Sequence, residues 1–135
     1  PQQNNELPPA AAPKRSIMSI LATALPLTSR QLTRNLTTTG VGIARTGGYT
    51  GHGSGEVMIG FTTANRIPSG REEELLQISA IPEHVINRAF LAAAEAEQEA
   101  ILNSMTAAKQ TRGREGELYY SLAEYLNDRE VETSK

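Results

Sequence analysis

Cysteine and tryptophan are absent from the 135 residues, and aromatic side chains make up only 4%. Without cysteine there is no disulfide framework, no thiol nucleophile and no thiolate metal site. Two histidines, His52 and His84, stand too far apart to point to a metal centre. So few aromatics are a thin supply for a free-standing core of this size, a shortage that a partner polypeptide would make up. Clustered basic residues are missing too. The net charge is −2 and the pI about 5.7, with Lys and Arg scattered, which argues against a nucleic-acid partner. No apolar run approaches the roughly 20 residues needed to cross a bilayer. The Gln- and Asn-rich start lacks the basic-then-apolar order of a signal peptide. We therefore expect a soluble chain without membrane contact, its compartment (cytoplasmic, periplasmic or secreted) decided by what precedes it. The missing initiator Met points to a fragment or processed subunit.

What is present divides into a tail and one folded unit. Residues 1–15 carry four prolines and little apolar material, so they read as linker. Ile17, Met18, Ile20 and Leu21 form a nearly continuous apolar run over 17–23, which suits a strand covered on both faces, and Pro26 ends it. Thr28 is placed to cap a helix whose Leu32, Leu36 and Ile43 share a face, although Thr37-Thr38-Thr39-Gly40 has poor helix propensity. Five glycines between residues 45 and 55 imply positive φ angles and close backbone approach. A second strand follows over 56–63, then a turn-rich loop from Asn65 to Gly70 and a solvated charged face at Arg71-Glu72-Glu73-Glu74. From about Pro82 to Gln110 the spacing predicts a long helix, with Val85, Ala89, Ala92, Ala93, Ala96, Ala100 and Ile101 as its packing stripe. Gly113 stops it, and Ser121-Leu122-Ala123-Glu124 is a capping-box pattern for a short last helix. The order β, α, β, long α, short α fits a layered α/β unit with helices covering a sheet.

Two places carry candidate chemistry. Ser16 sits where the linker meets the first strand, as a cap or turn residue or as an exposed nucleophile. Downstream, Gly51-His52-Gly53-Ser54-Gly55-Glu56 is rich in glycine, but it precedes a strand and has no lysine, so it is not a phosphate loop. Its order is also reversed for a nucleophile elbow. Ser54 and Glu56 are two apart, so on an extended segment they point to one face. There they either hold and polarise another group or form a polar rim at a strand start.

The segments Ser16-Ile17-Met18, Leu21-Ala22-Thr23-Ala24-Leu25-Pro26-Leu27, Gly42-Ile43-Ala44-Arg45-Thr46-Gly47, Gly53-Ser54-Gly55-Glu56 and Phe61-Thr62-Thr63-Ala64-Asn65 together carry a resemblance. They are similar, in register, to the C-terminal part of the DmpA-type L-aminopeptidase/D-Ala-esterase and bacterial β-peptidyl aminopeptidase family. The likeness continues through Glu99-Ala100-Ile101-Leu102-Asn103 to about residue 126. It implies an αββα sandwich of the N-terminal-nucleophile hydrolase kind, of which this chain supplies part of the sheets and helices. Family members cut themselves immediately before a serine that becomes the nucleophile. By motif position the cut is Arg15–Ser16 and the nucleophile Ser16, with Ser54 and Glu56 as the supporting serine and glutamate.

The resemblance further implies that residues 1–15 are a linker or the tail of the N-terminal chain, and 16–135 the C-terminal catalytic chain. Gly53 and Glu56 would bind substrate, Glu56 through a substrate ammonium. No metal or cofactor is implied. The expected partners are the longer N-terminal chain of the same precursor, which would supply the oxyanion donors, and a short peptide or amino-acid amide; heterodimers would assemble into an oligomer. The chemistry is coherent, because a serine hydroxyl needs a base. A free α-amine, with a pKa of about 7.7–8.0, is partly unprotonated at neutral pH. While residue 15 is attached, Ser16 has no such amine. Two other readings are acyl transfer of the ornithine-acetyltransferase kind, which uses an N-terminal threonine, and a non-catalytic assembly or binding subunit of the same fold.

Overall fold

The computed structural model describes residues 16–53, 55–70 and 75–126. The linker with Arg15, Ser54, the charged run 71–74 and everything after residue 126 lie outside the described residues. Strand β1 (Ile17–Thr23) is followed by helix α1 (Ser29–Arg45) and strand β2 (Glu56–Thr62). A 3-10 turn at Glu83–Val85 leads into helix α2 (Ile86–Ala107), followed by two short strands, β3 (Thr111–Arg112) and β4 (Leu118–Tyr119), and a last helical stretch over 122–126. β1 and β2 pair in parallel along their whole length, from Ile17 opposite Glu56 to Thr23 opposite Thr62. Parallel neighbours need a crossover, and α1 is that crossover.

α1 begins where its sequence says it should. The Thr28 side chain accepts from the Gln31 backbone N–H, and the Gln31 side chain accepts from the Thr28 N–H, so the capping box is closed. The threonine run does not break the helix. Thr37, Thr38 and Thr39 each donate their hydroxyl to a carbonyl three or four residues back, which keeps these polar groups satisfied inside the helix.

Both helices lie on one face of the sheet. Buried Ser19 on β1 donates its hydroxyl to Glu97 Oε1 of α2 at 2.6 Å. Thr39 Oγ1 of α1, whose proton goes to the Leu36 carbonyl, also lies 3.2 Å from the sulfur of Met58 on β2. The helices run side by side with the same direction: Arg34 stacks on Phe90, and Arg45 reaches Gln98. Their closest approach is at Gly42, where a Cβ would stand 2.5 Å from the Ala94 carbonyl oxygen and 2.7 Å from Glu97 Cβ. At the N-terminal ends, Glu83 receives Arg30, Arg34 Nη1 at 2.7 Å and Gln31 Nε2 at 2.9 Å.

Four expectations are corrected. The strands are not covered on both faces: Met18 and Ile20 are 75% and 70% exposed, and Val57, Ile59 and Phe61 share their bare face. α2 buries Ile86, Ala89, Ala93 and Ala94 instead of the full alanine stripe, because Gly42 draws that side onto α1; Ala92, Ala96 and Ala100 face outward. It also stops at Ala107, short of Gln110 and Gly113, because Ala108 turns extended with φ −62° and ψ 148°. A β3–β4 hairpin, unforeseen in the sequence, follows it. The fourth is corrected in part: in the glycine cluster a positive φ is seen at Gly47, at 91°, and the other left-handed residue is Thr50, at 50°, whereas the expected close approach holds at Gly48, where a Cβ would stand 2.4 Å from Ile43 Cγ2. The last capping box does form, with Glu124 N–H donating to Ser121 Oγ at 3.2 Å and residues 122–126 helical.

The loop between β2 and the 3-10 turn is pinned at its base. Asn65 Nδ2 donates to the Ser79 carbonyl and Ser79 N–H donates to Asn65 Oδ1, both at 2.9 Å.

Candidate active site

The strand register brings two of the sequence candidates together. Ile17 pairs with Glu56, so Ser16 and Glu56 stand at the starts of adjacent parallel strands, at the same end of the sheet. The contact between the two starts runs through Gly55. Its N–H donates to Ser16 Oγ at 3.3 Å, and its carbonyl accepts from the Ile17 N–H at 3.2 Å. Glu56 is half-buried, whereas Ser16 and Gly55 are exposed. Because strand side chains alternate, Glu56 lies on the helix-covered face with Ile17 and Ser19, and Ser16 leads into the bare face with Met18 and Ile20. The serine and the glutamate thus flank the strand edge from two sides.

Gly53 is exposed in the turn before β2, and a Cβ there would meet nothing within 4 Å. Ser54, the remaining candidate, falls outside the described residues. The turn itself is built over Tyr49, whose ring lies against Gly51, with the left-handed Thr50 between them. Among the described residues no group of three His, Cys, Asp or Glu is placed to hold a metal.

Among the described residues two open apolar grooves stand out, and neither is lined by Ser16 or Glu56. One, of 370 Å³, is formed by Leu25, Ile81, Val85, Arg88, Ala89 and Ala92 at the far end of the strands. The other lies between the end of α2 and the final helix, beside Met105, Tyr120 and Tyr125. Both grooves lie away from the strand starts that carry Ser16 and Glu56. Sequence reasoning missed Gly55 as a contact of Ser16, since the contact is made by main-chain atoms that carry no residue signature.

Comparison with known proteins bears directly on this edge. Residues 2–119 match the profile of Peptidase family S58. The β-peptidyl aminopeptidase BapA of Sphingosinicella microcystinivorans is 31% identical over 101 residues, which are 75% of this chain and 26% of that protein. The crystal structure of the PH0078 protein from Pyrococcus horikoshii OT3 superimposes with a TM-score of 0.77 at 45% identity, over 88% of this chain and 33% of that one. The L-aminopeptidase D-Ala-esterase/amidase of Ochrobactrum anthropi, described as a prototype of the serine aminopeptidases and a variant of the Ntn hydrolase fold, gives 0.70 at 33% identity. That match covers 76% of this chain and 29% of the other. The chain thus spans between a quarter and a third of the length of these proteins. The expected fold class holds: the two layers seen here, helices α1 and α2 against β1 and β2, are part of an α/β fold of the Ntn-hydrolase type. With the profile matched across nearly the whole chain and the same fold found in its relatives, the chain belongs to peptidase family S58.

Proposed function

We propose that this chain is the nucleophile-bearing, C-terminal portion of a self-processing serine aminopeptidase/amidase that releases N-terminal amino acids from short peptides, amides or esters. The observation that carries it is the position of Ser16. In a member of peptidase family S58, its hydroxyl sits at the head of β1 against the strand start that bears Glu56. The printed names of the relatives, a β-peptidyl aminopeptidase and an L-aminopeptidase D-Ala-esterase/amidase, favour the same chemistry.

In this reading residues 1–15 end the N-terminal chain and residues 16–135 form the catalytic one. Self-cleavage begins when Ser16 Oγ bonds to the carbonyl carbon of Arg15. The C–N bond then breaks, and the hydroxyl proton ends on the freed amine. Water hydrolyses the resulting ester to the Arg15 carboxylate and restores the hydroxyl. The Ser16 α-amine now serves as the base the hydroxyl lacked, directly or through a water. Ser54 and Glu56 orient that amine, and Glu56 with Gly53 receives the substrate's N-terminus. Substrate hydrolysis repeats the same two bond changes, with an acyl-Ser16 ester as intermediate. The longer N-terminal chain covers the bare face of the sheet and brings the oxyanion donors, and the heterodimers assemble further.

Expression of the full-length precursor tests this. The wild type is expected to yield a chain beginning at Ser16 by N-terminal sequencing and intact mass, and to hydrolyse amino-acid p-nitroanilides. Ser16→Ala is expected to remain uncut and to lose hydrolysis by at least about 10³-fold, the scale of removing a nucleophile. A mature chain that never starts at Ser16, or a Ser16→Ala precursor that still hydrolyses, overturns the assignment.

A further inference from the structure

We propose that Gly55 is a positioning residue for Ser16, its main-chain N–H holding the serine oxygen for self-cleavage and for the later attack on substrate. The proposal rests on Ser16 being the nucleophile. Three observations lead to it. The Gly55 N–H donates to Ser16 Oγ at 3.3 Å, while the carbonyl of the same residue accepts from Ile17 N–H, so one residue grips both sides of the Ser16–Ile17 peptide. The grip is anchored, because Gly55 is continuous with β2, whose seven residues are all paired with β1. And there is room for a side chain: among the described residues a Cβ on Gly55 would meet nothing within 4 Å.

The chemistry of a hydroxyl says what such a contact does. Serine has one O–H and two lone pairs. Accepting from Gly55 occupies one lone pair and fixes the oxygen, leaving the other lone pair for the carbonyl carbon and the O–H for the base. As the proton departs, negative charge gathers on Oγ, and hydrogen bonds to charged acceptors are shorter and roughly twice as strong. At 3.3 Å the contact is longer than the usual N–H···O range of about 2.7–3.2 Å, so it has room to tighten as that charge develops.

Three forms of the full-length precursor test the proposal: Gly55→Ala, the same Gly55→Ala chain with an ester in place of the 54–55 amide, and Ser16→Ala. The ester loses the N–H donor of residue 55 and also makes the residue 54 carbonyl a weaker acceptor. Gly55→Ala keeps the N–H and is the reference for the ester form, both in self-cleavage and in turnover of an amino-acid p-nitroanilide. The ester form is expected to slow self-cleavage and kcat by about ten- to a hundredfold with KM unchanged, the range for a hydrogen bond to a charged group. An ester form that matches Gly55→Ala in both rates overturns the proposal. Amide hydrogen exchange supplies a second test with residue 55 untouched. The Gly55 N–H should exchange at least about tenfold faster in Ser16→Ala than in wild type, while the Val57 N–H within the ladder stays unchanged. Equal exchange at Gly55 overturns the proposal. Ser16→Ala also separates the two ideas: if that variant still self-cleaves or hydrolyses, it is the nucleophile assignment that fails.

Discussion

Glu83 shows how much one side chain organises in this small unit. Its carboxylate accepts from Gln31 and pairs with Arg30 and Arg34, fastening the 3-10 turn to the first turns of α1. The Gln31 hydrogen bond is the largest cause holding the Glu83 carboxyl below its ordinary value of 4.5; desolvation opposes it, and Arg30 and then Arg34 add to the lowering. A depressed folded-state value means that the unfolded chain takes up the proton first. The contribution to stability is therefore complete above pH 4.5 and is lost as pH falls through the lowered value. Glu83→Gln should accordingly melt below wild type at pH 7, with the gap narrowing as pH falls below 4.5 and in high salt, since these side chains are exposed. Thermal melts of both proteins across that range check this, and a gap independent of pH would remove the charge from the explanation. None of this cluster was legible in the sequence beyond an acidic residue near a helix start. Its partners are about 50 positions away, and only the fold brings them together.

At the scale of elements, the crossing of α1 and α2 depends on the missing side chain of Gly42. The neighbours a Cβ would meet are the Ala94 carbonyl and the backbone nitrogen of Gln98, neither of which can swing aside. Gly42→Ala should cost about 1–3 kcal/mol, the range for overpacking a close contact. Denaturant titration of the assembled protein would show it, and an unchanged midpoint would mean that the helices slide freely. The same crossing explains what could and could not be read beforehand. The cap of α1 is local chemistry between Thr28 and Gln31 and was plain in the sequence, as were β1 and β2 as apolar runs. The packing face of α2 was not, because alanines at 89, 92, 93, 94, 96 and 100 support several stripes and Gly42 selects one. The two-residue strands β3 and β4 are too short to carry a period. At the site, Ser16, Ser54 and Glu56 were reached by motif resemblance, while the Gly55 contact depends on strand register, which no spacing rule encodes.

The described residues form a two-layer unit with one sheet face left bare. Met18, Ile20, Val57, Ile59 and Phe61 are between 48% and 75% exposed, and a fully buried apolar side chain is worth about 1.5–3 kcal/mol. Covering five of them brings several kcal/mol, comparable with the roughly 5–15 kcal/mol that separates a typical folded domain from its unfolded chain. Residues 16–135 produced alone should therefore aggregate and bind a hydrophobic dye, and should copurify with the N-terminal chain when the two are made together. A solitary, dye-silent monomer would contradict this. A different freedom follows from the Asn65–Ser79 clamp. It closes the excursion at its neck with two hydrogen bonds, so the two ends stay together whatever the length between them. Each doubling of such a loop adds only about 0.6 kcal/mol of closure entropy. Exposed positions such as Pro68 and Ser69 thus form a graft point, where a tag or a foreign epitope can be inserted and length can vary without a change in strand register.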